Sequence, residues 1–276
     1  MNYRHAFHAG NFADCCKHAL LVWLIAARQR KPSGLLVLDT HAGSGRYDLA
    51  ASPAARSGEW RDGIGKLCDA APGPALAGYL GLVRDLGLYP GSPLIARRLL
   101  RPQDRLVCCE WHPEAHAALR TEFAADKQVA VHRRDAWEAL GALLPPRGRR
   151  GLVLIDPPFE AADEFARLAA GLHRAHGKCP TAVLAAWYPV KHRAPVRAFH
   201  ATLLDSLPPG IVVAELLLRA PLDPARLNGC GLLVVNPPFG FVDAAAAILA
   251  ALLERLGTRA AGEAAAVMPL AAAVRA

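Results

Sequence analysis

Short apolar runs separated by longer amphipathic stretches organise this chain. The runs are Leu35 to Asp39, Leu106 to Glu110, Val129 to His132, Gly151 to Asp156, Ala182 to Trp187, Ile211 to Leu218 and Gly231 to Asn236. Several are unbroken rather than alternating, and rich in Val, Leu and Ile. Strands covered on both faces of a parallel sheet read this way. Helix-length stretches lie between them, at Pro113 to Phe123, Ala136 to Leu144, Ala162 to His176 and Pro195 to Leu207. Strand alternating with helix predicts a doubly wound α/β sheet. Only Pro221 to Asn228 separates the last two runs. That length joins antiparallel strands but cannot hold a crossover helix. The pattern predicts a mainly parallel seven-stranded sheet that ends in an antiparallel hairpin. One further apolar run, Ala19 to Ala27, is too short for a bilayer, which needs about 20 residues. No small-residue cleavage pattern follows it, so it reads as a buried helix rather than a signal peptide.

Composition narrows this picture. The chain has 276 residues, 53% of them hydrophobic, enough for a substantial core. Gly and Pro are not gathered into a linker, so the reading is a single domain over residues 1–276 carrying an insertion. The net charge of +8 raises the local concentration of polyanions and makes nucleic acid a reasonable partner. Arg greatly outnumbers Lys, which genome composition alone can also produce. Seven cysteines include no C-x-x-C pair, and Cys15-Cys16 and Cys108-Cys109 are adjacent, a poor spacing for zinc. They read as free thiols in a reducing cytoplasm, with no metal expected. His5, His8, Asp14 and His18 are donor types, but their spacing does not force them together.

The first strand runs into Asp39-Thr40-His41-Ala42-Gly43-Ser44-Gly45. Glycines at the carboxyl end of a strand let the backbone turn sharply and approach a ligand closely. The loop lacks the third glycine of the dinucleotide fingerprint. It resembles instead the Asp/Glu-x-Gly-x-Gly-x-Gly loop of S-adenosylmethionine methyltransferases, with His41 where the first glycine would stand. The parallel sheet closed by a hairpin resembles the same class I, Rossmann-like architecture. An acidic residue ending the second strand grips the ribose diol in such folds, about 20 residues on. Glu110 fits that role but comes 65 residues after Gly45, so an inserted helical subdomain is expected at 47–89. Leu76 to Leu86 would be one of its helices. Asp135 follows the third strand, where it can bond the cofactor adenine, cap the helix starting at Ala136, or both.

The most informative stretch is Asp156-Pro157-Pro158-Phe159, directly after a buried strand. Two prolines fix φ and lack N–H donors, which leaves a rigid loop of acceptors. Transfer of a methyl group to an aryl amine needs acceptors of this kind. The lone pair of the amine is delocalised into the ring. The Asp156 carboxylate and the Pro157 carbonyl can hold both N–H bonds, free the lone pair for in-line attack and stabilise the charge that develops on nitrogen. Phe159 can stack on the base, worth about 1–3 kcal/mol. A second strip, Asn236-Pro237-Pro238-Phe239, competes. Chain order favours Asp156, because glycine loop, acidic residue, Asp135 and strip follow in sequence. The Asn236 strip is assigned to structure.

The chain resembles one family in particular. Tyr3-Arg4-His5-Ala6-Phe7-His8-Ala9-Gly10-Asn11 opens the match, with Asp14, Lys17 and His18 following. Leu38 to Tyr47, Tyr89-Pro90-Gly91-Ser92-Pro93-Leu94-Ile95-Ala96, Leu154 to Pro158 and Trp187-Tyr188-Pro189 continue it. Together these resemble the RlmJ family of bacterial 23S ribosomal RNA adenine-N6 methyltransferases, from residue 3 to about 240. The Ala-rich tail after Gly240 is uninformative. The resemblance implies a monomeric cytoplasmic enzyme that uses S-adenosylmethionine and acts on 23S RNA before ribosome assembly. It implies cofactor contacts at His18, His41, Ser92, Glu110, Asp135 with Ala136, and Asp156, and a substrate contact at Tyr3; Gly43 of the glycine loop is expected to join the cofactor site, and Lys17 and Phe159 the substrate side. Relatives often carry Tyr at the Phe159 position and Gly at Ala136. A methyltransferase of protein side-chain amides and a non-catalytic RNA-binding protein on the same fold are the rivals. The intact Asp156 argues against the second.

Overall fold

A computed structural model describes residues 7–275 apart from 51, 70, 147 and 149. Tyr3 and the start of the opening motif lie outside the described residues. Helix α1 spans Phe12–Gln29, starting well before the apolar run that announces it. Asn11 sets that start, because its side chain accepts hydrogen bonds from the amides of Ala13 and Asp14. Strand β1 (Leu35–Asp39) follows, then the two-residue strand β2 (Arg46–Tyr47), helices α2 (Ser52–Ser57), α3 (Ile64–Cys68) and α4 (Ala77–Leu86), and strand β3 (Tyr89–Pro90). β2 and β3 pair antiparallel at the neck of this segment. Ile64, Leu67, Tyr79 and Leu80 of the segment are buried in the same cluster as Leu20, Leu21 and Leu24 of α1.

The chain continues through α5 (Ser92–Leu99), β4 (Arg105–Cys109), α6 (Pro113–Glu122), β5 (Val129–His132), α7 (Ala136–Ala142), β6 (Arg150–Ile155), α8 (Glu164–Lys178), β7 (Val183–Val190) and α9 (Arg193–Ser206). It ends with β8 (Val212–Leu217), β9 (Gly229–Val235), α10 (Phe241–Leu256), β10 (Ala264–Pro269) and α11 (Leu270–Ala273). The sheet order is β10-β8-β9-β7-β6-β1-β4-β5. β5, β4, β1, β6 and β7 run parallel. β9 inserts antiparallel between β7 and β8.

The sheet therefore has eight strands rather than the expected seven. The additional one, β10, pairs antiparallel with β8. It comes from the Ala-rich tail, where Ala264-Ala265-Ala266 offers neither β-branched residues nor alternation to announce an edge strand. The tail also supplies α10, whose Ile248, Leu249 and Leu252 are buried against one sheet face. Two apolar clusters sandwich the sheet, one under α1 and α10 and the other under α7, α8 and α9. The parallel strands are accordingly buried on both faces, as in β6 from Gly151 to Ile155. Among the described residues, no helix is long and apolar enough to cross a membrane.

Candidate active site

The carboxyl ends of β1, β4, β6 and β7 open into one cleft of about 1340 Å³. Its floor begins at the glycine loop. Gly43 has φ +64°, and a Cβ there would lie 2.3 Å from the hydroxyl of Tyr47, so only glycine fits without displacement. The Gly43 amide donates to Glu110 Oε2 at 2.8 Å, and the His112 amide donates to Glu110 Oε1 at 2.7 Å. The carboxylate that ends β4 is thus buried and oriented by backbone on both oxygens. Each oxygen keeps a second acceptor direction, which suits a diol.

Asp135 stands at the start of α7, after β5. Its Oδ1 accepts from the amides of Trp137 and Glu138, at 2.9 and 3.1 Å, so it caps α7. Both bonds fall on one oxygen, and Asp135 lines the cleft. Ala136 is the first residue of α7, where the helical φ suits any side chain. Ser92 opens α5, buried beside Asp39. His18 Nδ1 hydrogen-bonds the Tyr89 hydroxyl at 2.9 Å, and that hydroxyl meets Tyr79 Oη at 3.1 Å.

Asp156 follows β6, one strand away from the glycine loop. Lys17 Nζ donates to its Oδ2 at 2.5 Å and to Asp14 Oδ1 at 2.8 Å. Asp14 Oδ2 also accepts from the Gly10 amide at 3.1 Å. The Lys17 and Asp14 side chains are each 4% exposed and that of Asp156 is 12%. Burial works against the Lys17 charge, but the two carboxylates outweigh it and hold the pKa well above the usual lysine value. Lys17, expected to contact substrate, lines the cleft as a buried cation clamped between two carboxylates.

His41 ties the glycine loop to the strip. The Asp156 amide donates to His41 Nδ1 at 3.3 Å, and Thr40 Oγ1 lies 2.9 Å from the same nitrogen. Burial, with Arg167 and Lys17 adding repulsion, pushes the ring to about 3, so it stays neutral and Nδ1 can accept. Asp39 is the opposite case. Burial lifts its carboxyl to about 6, opposed by the Ser92 hydroxyl and raised further by Asp156.

Phe159 adopts φ +53°, a left-handed conformation that non-glycine residues rarely hold without compensation. Its ring meets Phe165 at 4.8 Å and Trp187 at 5.9 Å, both edge-to-face, on the cleft wall. Trp111, 55% exposed at the rim, carries the Arg133 guanidinium 6.0 Å from its ring. Sequence reasoning did not single out Trp111, nor the part played by Asp14. Position could have found Trp111, because it directly follows the acidic end of β4. Nothing in the local pattern marks Asp14.

The second strip lies elsewhere. β9 runs antiparallel, and Val235 pairs with Leu184 at the start of β7. Asn236 therefore emerges at the amino edge of the parallel strands, opposite Asp156. Its side-chain amide donates to the carbonyls of Pro180 and Ala182, at 2.7 and 2.8 Å.

A mainly parallel sheet with an antiparallel strand inserted between β7 and β8, a glycine loop on β1 and an acidic end on β4 define a class I methyltransferase that uses S-adenosylmethionine. The particular family follows from the chain itself. The model described as "Ribosomal RNA large subunit methyltransferase D, RlmJ" matches residues 32–268, and the chain belongs to that family. Ribosomal RNA large subunit methyltransferase J of Escherichia coli K12 is 39% identical over 246 residues, 87% of this chain and 88% of that one. Its namesake in Haemophilus influenzae Rd is 37% identical over 247 residues, with the same shares. The crystal structure of a Legionella pneumophila protein superposes with a TM-score of 0.86 at 32% identity, covering 95% of this chain and 98% of that one. A probable spermidine synthase from Corynebacterium glutamicum shares the fold alone, with a TM-score of 0.50 at 15% identity over 93% of this chain and 76% of that one.

Proposed function

We propose that this protein methylates the N6 amine of an adenine in 23S ribosomal RNA, as a monomer and before ribosome assembly. The observation that carries this reading is Asp156. It is a carboxylate at the end of a central strand, beside the glycine loop and held in place by Lys17.

S-adenosylmethionine supplies an electrophilic methyl group on a sulfonium. The residues present fit it: a roomy cleft, a glycine whose position admits no Cβ, and a buried acid at the end of β4. Glu110 would hold the ribose hydroxyls and Asp135 with Ala136 the adenine edge. Gly43, Ser92, His18 and His41 would line the remainder, and Asp156 would border the reacting end.

On the substrate side, Asp156 and the Pro157 carbonyl would accept the two N–H bonds of the amine. This frees the nitrogen lone pair for in-line attack and stabilises the positive charge that forms there. The neutral, fully engaged Lys17–Asp14 pair keeps the carboxylate oriented without adding net charge. Phe159 would stack on the base, which must leave its own stack to arrive. Tyr3 would add a further substrate contact. His41, held neutral, keeps the strip at a fixed distance from the glycine loop.

The test is transfer of radiolabelled methyl groups from S-adenosylmethionine to total RNA and to total protein, followed by nucleoside digestion. Label in N6-methyladenosine from large-subunit RNA is expected. Label in protein, or in no acceptor, would overturn the reading.

A further inference from the structure

The strip that catalysis does not use points to a second surface. Asn236 has φ +54°, a strained conformation held by its two hydrogen bonds to Pro180 and Ala182. Pro237 and Pro238 stiffen the next two residues. The result is an aromatic ring presented rigidly to solvent, because Phe239 is 95% exposed. A ring held this far out has a free face on which a base can stack.

The chain around it is cationic. Arg30 donates to the Phe239 carbonyl at 3.4 Å, and its guanidinium lies 5.4 Å from the Trp23 ring. Arg28, two residues earlier in the last turn of α1, keeps a buried Nε with no hydrogen-bond partner among the described residues. Burial and then repulsion from Arg150 depress its pKa, and Arg101 does the same to Arg150. These charges are close enough to repel one another. Arg101 and Arg150 both donate to the carbonyls of Lys31 and Ser33, which brings the two guanidinium groups together. Asp104 is the buried acid here, and Arg101 already engages both of its oxygens. Arg28, Arg30 and Arg150 make no salt bridge among the described residues, and a basic patch of this kind attracts an anion. Asp243, in the first turn of α10, is the acid nearest Phe239 along the chain.

We propose that Phe239 and the arginines Arg28, Arg30 and Arg150 form a second RNA-binding surface, on which an unpaired base stacks on Phe239 while neighbouring phosphates meet the guanidinium groups. Aromatic stacking beside a basic track is how single-stranded nucleic acid is held without sequence readout. Arg150 begins β6 and Asp156 follows its end, so the surface and the cleft are one strand apart, about 20 Å. A long RNA can reach both, whereas a short hairpin held at the cleft engages the cleft alone. The surface would therefore favour large, unassembled RNA over isolated stem-loops. This rests on the proposed RNA substrate.

The test uses the full chain, a short adenine-bearing hairpin and a large-subunit RNA fragment of several hundred nucleotides. Phe239→Ala should weaken binding of the long fragment about tenfold, within the range for loss of one stacked base. Phe239→Ala with Arg30→Glu should weaken it further. Hairpin methylation should be unchanged in both variants, and thermal melting should confirm that both fold. A photoreactive phenylalanine analogue at position 239 should crosslink to the long RNA. Unchanged affinity, hairpin methylation falling in parallel, or crosslinking to protein alone would each overturn the second surface. A wild-type chain that binds long RNA through Phe239 but methylates no RNA would instead overturn the proposed reaction.

Discussion

Lys17 reaches Asp156 across 139 positions of chain and donates to its Oδ2 at 2.5 Å, while holding Asp14 with its remaining reach. Removing the cation from between two buried carboxylates leaves their charges uncompensated. Lys17→Met would leave two carboxylates facing one another without it, and should cost about 3–5 kcal/mol of stability. Adding Asp14→Asn to Lys17→Met should recover part of that loss. Denaturant unfolding of the single and double variants measures the coupling, and strict additivity would break the triad apart.

Asp156 and Asn236 make a matched comparison. Asp156→Ala should leave a folded protein with methyl transfer reduced at least about 10²-fold, the scale for losing a preorganised electrostatic partner. Asn236→Ala should keep activity within about tenfold. It should instead lose about 1–3 kcal/mol of stability, because the carbonyls of Pro180 and Ala182 lose their donor. Single-turnover assays on short hairpins, paired with unfolding curves, read both outcomes. A dead Asn236→Ala with an active Asp156→Ala would place the chemistry at the wrong sheet edge.

Glu110→Ala should weaken S-adenosylmethionine binding by about 1.5–3 kcal/mol, the range for hydrogen bonds to a charged group. Part of the loss comes through Gly43, whose amide needs the carboxylate. Calorimetric titration checks it, and unchanged affinity would remove Glu110 from the cofactor.

Asp39 predicts a pH dependence. Its carboxyl is lifted from 3.8 to about 6 by burial, so the folded chain keeps a proton that the unfolded chain releases. The unfolded state binds fewer protons in that window, so this group lowers stability as pH rises from about 4 to 6, with a plateau above. Asp39→Asn carries no such penalty. Its stability advantage over the parent should grow from pH 4 to 6 to about 2–3 kcal/mol and then level off. A constant difference across unfolding curves from pH 4 to 8 would show that Asp39 is ionised throughout.

RNA affinity should fall steeply between about 50 and 200 mM salt, because phosphate contacts release counterions. Filter binding or fluorescence anisotropy across that range measures the slope. A flat dependence would mean that the net charge of +8 is not used on RNA.

Much of this protein is written in local sequence. Unbroken apolar runs announced the parallel strands, because burial on both faces leaves no polar position to alternate. The glycine loop, Glu110 and the strip at Asp156 were legible for the same reason: each needs a particular residue at a strand end, and strand ends can be read from the pattern. The tail was not legible, since β10 is stabilised by pairing with β8 rather than by side chains that announce a strand.

Chain order favoured one of two similar strips, but only the tertiary structure gives the physical reason that it lies in the cleft. Asp156-Pro157-Pro158-Phe159 and Asn236-Pro237-Pro238-Phe239 each follow a buried strand and look alike along the chain. The difference is direction: β6 runs parallel to β1, whereas β9 enters antiparallel to β7 and delivers Asn236 to the opposite edge. The same holds for the pairing of Lys17 with Asp156, since the sequence includes Lys17 and Asp14 in a motif but does not mark the carboxylate that Lys17 meets. Strand direction and the docking of α1 are set by hydrogen bonds and apolar contacts between segments far apart in the chain, and a periodicity that spans a few residues carries no record of them.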